Sequence, residues 1–308
     1  MNETVLVTGG TGFIGSHVIE QILDSGYKVV LLKRSFSKTW RIKEFQDRIT
    51  CYNIDEIDID KIFQKESITA IIHLATYYKK HHKSEDIDPM IRSNILFPVK
   101  LLEKAKKYDV KTFINTGTFF EYSYNKLPIH ENSCEEPFNF YAITKLAFEN
   151  ILKSYTKKED IKSITLKIFS PYGPRDNEEK IVPLIINHAI KEKDIKLSHG
   201  LQKLDFIYVK DIAEAYVSSL KNISLIGEYE AINIGTGFPY SIRDIVSLLE
   251  EIMGYNMNKN WSEPSNDNLE VIYPDINKAQ KFLNWKPKYS LKKGLEKTFE
   301  YYSDKNDI

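Results

Sequence analysis

A glycine-rich turn, TGGTGFIG at residues 8–15, follows a short run rich in Val and Thr (Thr4 to Val7) and precedes a segment in which Ile14, Val18 and Ile22 recur every four residues. The first run has strand chemistry, and the second is an amphipathic helix ending near Ser25-Gly26. Between a strand and a helix, three glycines have separate uses. Gly9 permits the tight turn, Gly12 lets the backbone approach a pyrophosphate, and Gly15 lets helix and strand pack closely. The helix amino terminus then faces the anion. A three-glycine match alone could mark only a tight turn; the strand before and the helix after make it a dinucleotide-binding loop, with Thr11, Phe13 and Ile14 as its other members.

The same alternation continues. Lys28 to Leu32, Ala70 to Leu74, Thr112 to Asn115 and Ile164 to Phe169 read as further short strands with helical patterns between them. Repeated β-α-β units give an α/β fold, a Rossmann-type doubly wound parallel sheet. From Pro171 the pattern loosens into the turn-rich PYGPRDNEEK, a helix over Pro183 to Lys191, a strand and helix in HGLQKLDFIYVKD, a helix over Ser241 to Met253, and the segment Trp261 to Asp275. No linker or repeat separates the halves, so the expectation is a dinucleotide-binding domain over 1–170, with returning segments near 205–235, and an interleaved substrate lobe formed mainly by 171–308. In such sheets ligands lie beyond the carboxyl ends of the strands, and the lobe should cover that edge.

Composition excludes other classes. Lys plus Arg and Asp plus Glu are each 43, so no basic excess is present to neutralise a nucleic-acid backbone. The longest apolar runs are far shorter than the roughly 20 residues of a membrane span, and the acidic MNET start is unlike a signal peptide. Cys51 and Cys134 form no CxxC pair, which fits a cytoplasmic, reducing compartment. His81-His82 suggests a metal only superficially, because adjacent side chains point apart and no carboxylate spacing completes a site.

At the end of the second strand an acidic residue would accept the ribose 2′-hydroxyl of NAD. Here VVLLKRSFSK places Lys33 and Arg34, which suit a 2′-phosphate and favour NADP(H), the alternative being a solvated basic loop. Asp55, after the expected third strand, is a candidate for the adenine amino group, with a plain acidic loop the other reading. In YAITK, a spacing of four puts Tyr141 and Lys145 on one helix face, so the ammonium can depress the phenol pKa and hold the cofactor ribose. YxxxK alone is unspecific in a chain with 19 Tyr; its place after the fourth α/β step gives it weight.

These motifs, with HLAT (73–76), NTGTFFEY (115–122), PYGPRD (171–176), DFIYVKD (205–211), NIGTG (233–237) and NWKPKYSLKKGL near the end, run in the order found in the extended short-chain dehydrogenase/reductases, which the chain resembles over essentially its whole length, in their NAD-dependent epimerase/dehydratase group. The resemblance implies hydride transfer between C4 of a nucleoside-diphosphate sugar and a nicotinamide. It implies Tyr141 as proton donor or acceptor, Lys145 as its partner and Thr118 as the hydroxyl on the C4 oxygen. It places Leu74, Ala75, Thr76, Asn94 and Thr116 on the cofactor side, and Tyr77, Phe119, Arg175, Asn177 and Lys203, with Thr118, on the substrate side. Tyr78 and Arg92 are read as facing the same cleft.

Departures narrow the chemistry. Related dehydratases carry Asp-Glu after the catalytic Thr, where this chain has Phe119-Phe120. Related 3,5-epimerase/reductases carry a His where Arg175 precedes Asp176-Asn177, and an Arg common in the family is replaced by Leu204. What remains is hydride exchange at C4. The resemblance to 4-keto-deoxysugar nucleotide reductases of surface polysaccharide biosynthesis favours an oxidoreductase, with a 4-epimerase holding NAD tightly, or a non-catalytic dinucleotide sensor, as alternatives. The apolar helix beginning at Tyr141 implies a homodimer by the same resemblance.

Overall fold

The computed structural model describes residues 3–263 and 270–306. The first half is a chain of β-α units: β1 (Thr4–Thr8), α1 (Phe13–Asp24), β2 (Lys28–Lys33), β3 (Thr50–Asn53), α2 (Ile59–Lys65), β4 (Ile68–His73), α3 (Ile87–Ile91), α4 (Phe97–Lys107), β5 (Thr112–Thr118), α5 (Phe140–Thr156) and β6 (Lys162–Ile168). The second half contributes β7 (Ser170–Tyr172), α6 (Ile181–Ile190), β8 (Ile195–Leu197), β9 (Lys203–Tyr208), α7 (Val209–Asn222), β10 (Tyr229–Ile234), β11 (Pro239–Ser241), α8 (Ile242–Met253), β12 (Lys259–Trp261), β13 (Val271–Ile272), α9 (Asn277–Leu283) and α10 (Leu291–Asn306).

Seven strands form one parallel sheet in the order β10-β6-β5-β4-β1-β2-β3, the doubly wound arrangement expected. Strand residues alternate between two cores. Val5, Val7, Ile72, Ile114 and Leu166 pack with α1 and α7 on one face, and Leu6, Ile71 and Phe113 pack with α2, α4 and α5 on the other. Burial on both faces explains the unbroken apolar strands. The order reverses between β1 and β4, so a cleft opens beyond their carboxyl ends.

A second sheet, β11-β9-β13 with β7 beside β9, and the pair β12-β8 form the lobe with α6, α8 and α10 around their own core. The returning segments divide. β10 is the seventh strand of the main sheet and α7 packs on α1, whereas β9 belongs to the lobe, although the sequence had assigned it to the first domain. Two buried aspartates tie the units. Asp205 accepts the N–H groups of Thr236 (2.8 Å) and Gly237 (2.6 Å), and Asp211 accepts those of Lys288 (2.9 Å) and Tyr289 (3.1 Å). These bonds account for the DFIYVKD, NIGTG and NWKPKYS segments in structural terms.

Element ends shift by a few residues. β4 begins at Ile68 rather than Ala70 and ends at His73, and β5 runs three residues past Asn115, because Gly117 and Thr118 still pair with Lys167 and Ile168. Much of the segment Trp261 to Asp275 is described, but 264–269 lie outside the described residues. Among the described residues no helix is long and apolar enough to cross a membrane.

Candidate active site

The glycine turn has the cradle a dinucleotide needs. Gly9 holds φ +73°, and a Cβ there would stand 2.5 Å from the Ala75 nitrogen; a Cβ on Gly15 would stand 2.2 Å from the Gly9 carbonyl oxygen. The Gly12 N–H donates to that same carbonyl at 3.0 Å and closes the turn. No side chain caps the α1 amino terminus, which leaves its first-turn N–H groups to an anion such as a pyrophosphate. Thr11 sits half-buried in this turn, Phe13 sets its ring edge toward His17 and Ile14 packs against the core, so what these residues offer a cofactor is backbone. Opposite, Leu74 and Ala75 are fixed by bonds from their N–H groups to the Thr8 carbonyl (3.1 Å) and hydroxyl (3.2 Å).

At the end of β2, the Lys33 ammonium donates to Asn53 Oδ1 at 2.6 Å, and the exposed Arg34 guanidinium lies 4.6 Å over the Phe36 ring. Asp55 accepts the Ser35 N–H at 2.8 Å and the Ser35 hydroxyl, bonds that hold its carboxyl below the usual range and shape the loop.

Asn139 caps α5 by accepting the Ala142 N–H at 2.9 Å. One turn in, Tyr141 and Lys145 share the inward face, both buried. The Tyr78 ring meets the Tyr141 ring edge-on at 4.8 Å. Thr118 ends β5; its hydroxyl oxygen accepts the Phe120 N–H at 3.3 Å, leaving the hydroxyl proton to give elsewhere. Glu121 accepts the Thr118 N–H at 2.8 Å and its charge acts on both Tyr141 and Lys145. The expected depression of the phenol pKa is not found: burial, then the Glu121 charge, push it above its ordinary value. Lys145 is pulled down to about 8 by burial, against the pull of Glu121 and Glu149.

Other expected site residues are engaged elsewhere. The Thr116 hydroxyl bonds the His73 carbonyl (2.8 Å) and the Tyr216 hydroxyl (2.7 Å). Asn94, in a π-type turn, uses Oδ1 for Thr76 (3.1 Å) and the Tyr77 N–H (2.7 Å), and Nδ2 for the Tyr77 carbonyl (3.1 Å) and Thr144 (2.9 Å), so it braces the loop rather than facing a ligand. The Tyr77 phenol donates to Asp86 at 2.8 Å, and its neighbour Tyr78 takes the place beside Tyr141. Arg92 pairs with Asp88 at 2.6 Å in solvent rather than facing the cleft. Arg175, expected at the substrate, pairs with Glu20 and bonds His17 at 2.8 Å and the Arg41 carbonyl at 3.0 Å; it joins the lobe to α1. Phe119 stacks on Phe169 at 5.3 Å. Asn177 caps the loop before α6 by accepting the Glu179 N–H at 3.2 Å, and Lys203 is exposed at the start of β9. Sequence reasoning missed Glu121, Glu149 and Lys167, and missed Lys180, whose ammonium lies 4.6 Å over the Tyr78 ring. An acidic residue between Phe120 and Tyr122 was the available signal.

A doubly wound sheet, a glycine turn at its switch point and a Tyr-Lys helix beside a strand-end Thr define a nicotinamide-dependent enzyme of the short-chain dehydrogenase/reductase type. Residues 5–235 match the sequence model of the NAD dependent epimerase/dehydratase family, and the chain belongs to that family. It is 30% identical to CDP-abequose synthase of Salmonella typhimurium, covering 96% of this chain and 97% of that protein. It is 32% identical to UDP-glucuronate 4-epimerase of Thermodesulfobacterium geofontis, covering 98% and 97%. Among solved structures, UDP-glucose 4-epimerase of Thermotoga maritima with UDP-glucose superposes with a TM-score of 0.88 at 28% identity, over 98% of this chain and 99% of that one. UDP-glucuronic acid 4-epimerase of Bacillus cereus, with UDP-glucuronic acid and NAD, gives 0.86 at 31% identity over the same shares.

Proposed function

We propose that this enzyme reduces a 4-keto nucleoside-diphosphate sugar, or runs the reverse oxidation, for surface polysaccharide synthesis in the cytoplasm. The observation that carries the reading is Thr118 at the carboxyl end of β5 together with Tyr141 and Lys145 buried on the inward face of α5, the helix packed against β5. A nicotinamide, when bound, supplies the hydride that C4 receives. As C4 is reduced, the carbonyl π pair moves onto O4, and Tyr141 gives its phenolic proton to that oxygen. Thr118 donates its hydroxyl proton as a hydrogen bond to the same atom, stabilising the developing charge. Lys145, kept cationic, stabilises the phenolate left behind and holds the ribose. Among the described residues both Cys51 and Cys134 are unpaired, in keeping with a reducing compartment.

The proposed cofactor is NADP(H), on the strength of Lys33 and the exposed Arg34 at the end of β2. A homodimer is supported by the apolar residues left exposed on neighbouring helices: Ile143 on α5, and Ile91 and Leu96 beside α4. The likeness to UDP-glucuronate 4-epimerase supports a second reading, 4-epimerisation with the cofactor recycled in place.

Stoichiometry separates the two readings: a reductase consumes one reduced cofactor per sugar, seen as absorbance loss with a 4-keto sugar nucleotide, and an epimerase consumes none. Tyr141→Phe should lower turnover by about 10²–10⁴-fold with cofactor still bound; full activity in that variant overturns the catalytic assignment. Thermal stabilisation by CDP, UDP, GDP or dTDP identifies the base.

A further inference from the structure

We infer that Lys180 is a substrate-binding residue, whose ammonium receives an anionic group of the sugar nucleotide beside Tyr141. The inference rests on the nucleotide-sugar reading above and adds a residue to it. Lys180 directly precedes α6 in the lobe, and its ammonium lies 4.6 Å from the centre of the Tyr78 ring. Tyr78 comes from the other unit, in the loop that follows β4, and its ring meets that of Tyr141 edge-on at 4.8 Å. A cation of the lobe therefore stands where the two units meet, one aromatic ring away from the phenol that acts on C4.

The charge is left uncompensated by its neighbours. Lys180 is exposed, and among the described residues no carboxylate lies within ion-pair distance of its ammonium. Buried Asp176 accepts the Asn177 N–H at 2.7 Å, Glu178 pairs with Lys305 at 2.7 Å, and the exposed Glu179 makes no ion pair with it. The backbone beneath is fixed, because the Lys180 N–H donates to the Asn177 carbonyl at 2.9 Å and its own carbonyl accepts the Leu184 N–H at 2.8 Å. A cation over an exposed ring is held weakly, whereas charge-assisted hydrogen bonds to an oxyanion are strong, so an arriving phosphate or carboxylate draws the ammonium off Tyr78. The two arginines of 171–308 are engaged elsewhere. Arg175 pairs with Glu20, and Arg243 lies 4.7 Å over the Trp261 ring and donates to the His199 carbonyl at 2.9 Å. Leu204 stands where the family commonly carries a further arginine. Two oxyanions fit this place: the phosphate attached to the sugar, present in every nucleoside-diphosphate sugar, and the carboxylate of a uronate.

Lys180→Met keeps an apolar stem against Tyr78 and removes the charge, and Lys180→Arg keeps the charge. Full-length parent and variants are titrated by calorimetry, with NADPH and separately with NADH present. The probes are CDP, UDP, GDP and dTDP, each beside its monophosphate, and UDP-glucose beside UDP-glucuronate. We expect Lys180→Met to weaken the preferred diphosphate about tenfold, the scale of a charge-assisted hydrogen bond, while its monophosphate binds as before and Lys180→Arg retains the parent's affinity. A loss confined to UDP-glucuronate supports the inference with the sugar carboxylate as the anion. Equal losses for a diphosphate and its monophosphate overturn it, because the cation would then serve the phosphate next to the nucleoside, away from Tyr141. A Lys180→Met protein that binds every probe as the parent does overturns this inference alone. A parent that binds none of the nucleotides overturns the nucleotide-sugar reading, and this inference with it.

Discussion

The side-chain amide of Asn94 donates to the hydroxyl of Thr144 at 2.9 Å, and that hydroxyl donates to the Tyr141 carbonyl at 2.7 Å. The first turn of α5 is thereby tied to the loop that follows β4, whose Tyr77 N–H and carbonyl Asn94 also satisfies. Asn94→Leu would strand both backbone groups in a buried site. We expect a loss of about 2–4 kcal/mol in stability, read by urea unfolding, together with a fall in kcat from a displaced Tyr141. Unchanged stability would show that water replaces the amide.

His17 sets a second prediction, in acid. Its Nε2 hydrogen donates to the Pro174 carbonyl at 2.8 Å, so Nδ1 is left bare to accept from the Arg175 guanidinium, also at 2.8 Å. A second proton would meet that cation in a buried pocket, and burial followed by Arg175 lowers the ring to about 3. The unfolded chain therefore binds a proton below about 6.5 that the folded one refuses, and stability falls as pH drops from about 6.5 to about 3. Between pH 7 and pH 5 this one group should account for about 2 kcal/mol. His17→Gln should show a pH dependence shallower by about that amount in denaturant titrations.

Cofactor choice is tested at Arg34. With its guanidinium exposed over Phe36, it is free to swing onto a 2′-phosphate. Arg34→Ala should weaken NADPH about tenfold, or about 1.4 kcal/mol, and leave NADH nearly unchanged, as measured by titration calorimetry. Equal losses for both cofactors would remove the case for the phosphorylated one.

Association is tested at Ile143, 47% exposed on α5. Ile143→Asp should shift light-scattering mass at micromolar concentration from dimer to monomer, because a carboxylate there would be buried without a partner. A monomeric parent protein would refute the dimer directly.

The glycine turn, the parallel strands and the Tyr-Lys helix were legible in the sequence because each depends on local chemistry: φ at Gly9, the unbroken apolar run of β1, the four-residue spacing from Tyr141 to Lys145. Side-chain destinations were not. Arg175 looked like a substrate cation because it follows a Pro-Gly loop, but its partners Glu20 and His17 lie some 155 residues earlier on α1, a pairing that only the tertiary fold reveals. Thr116 and Asn94 sit where cofactor residues were expected, yet their polar atoms are consumed by the scaffold. The direction of the Tyr141 shift was misjudged for a related reason. Spacing reveals the neighbouring ammonium but not the depth of burial, and burial outweighs it.

The seventh parallel strand, Tyr229–Ile234, docks on β6 only after the chain has detoured through four elements of the lobe and α7. A nascent polypeptide leaving the ribosome therefore exposes the raw margin of β6 until more than two hundred residues have emerged. Cutting the gene after residue 170 should yield an insoluble fragment, and the two halves must mature together rather than one after the other.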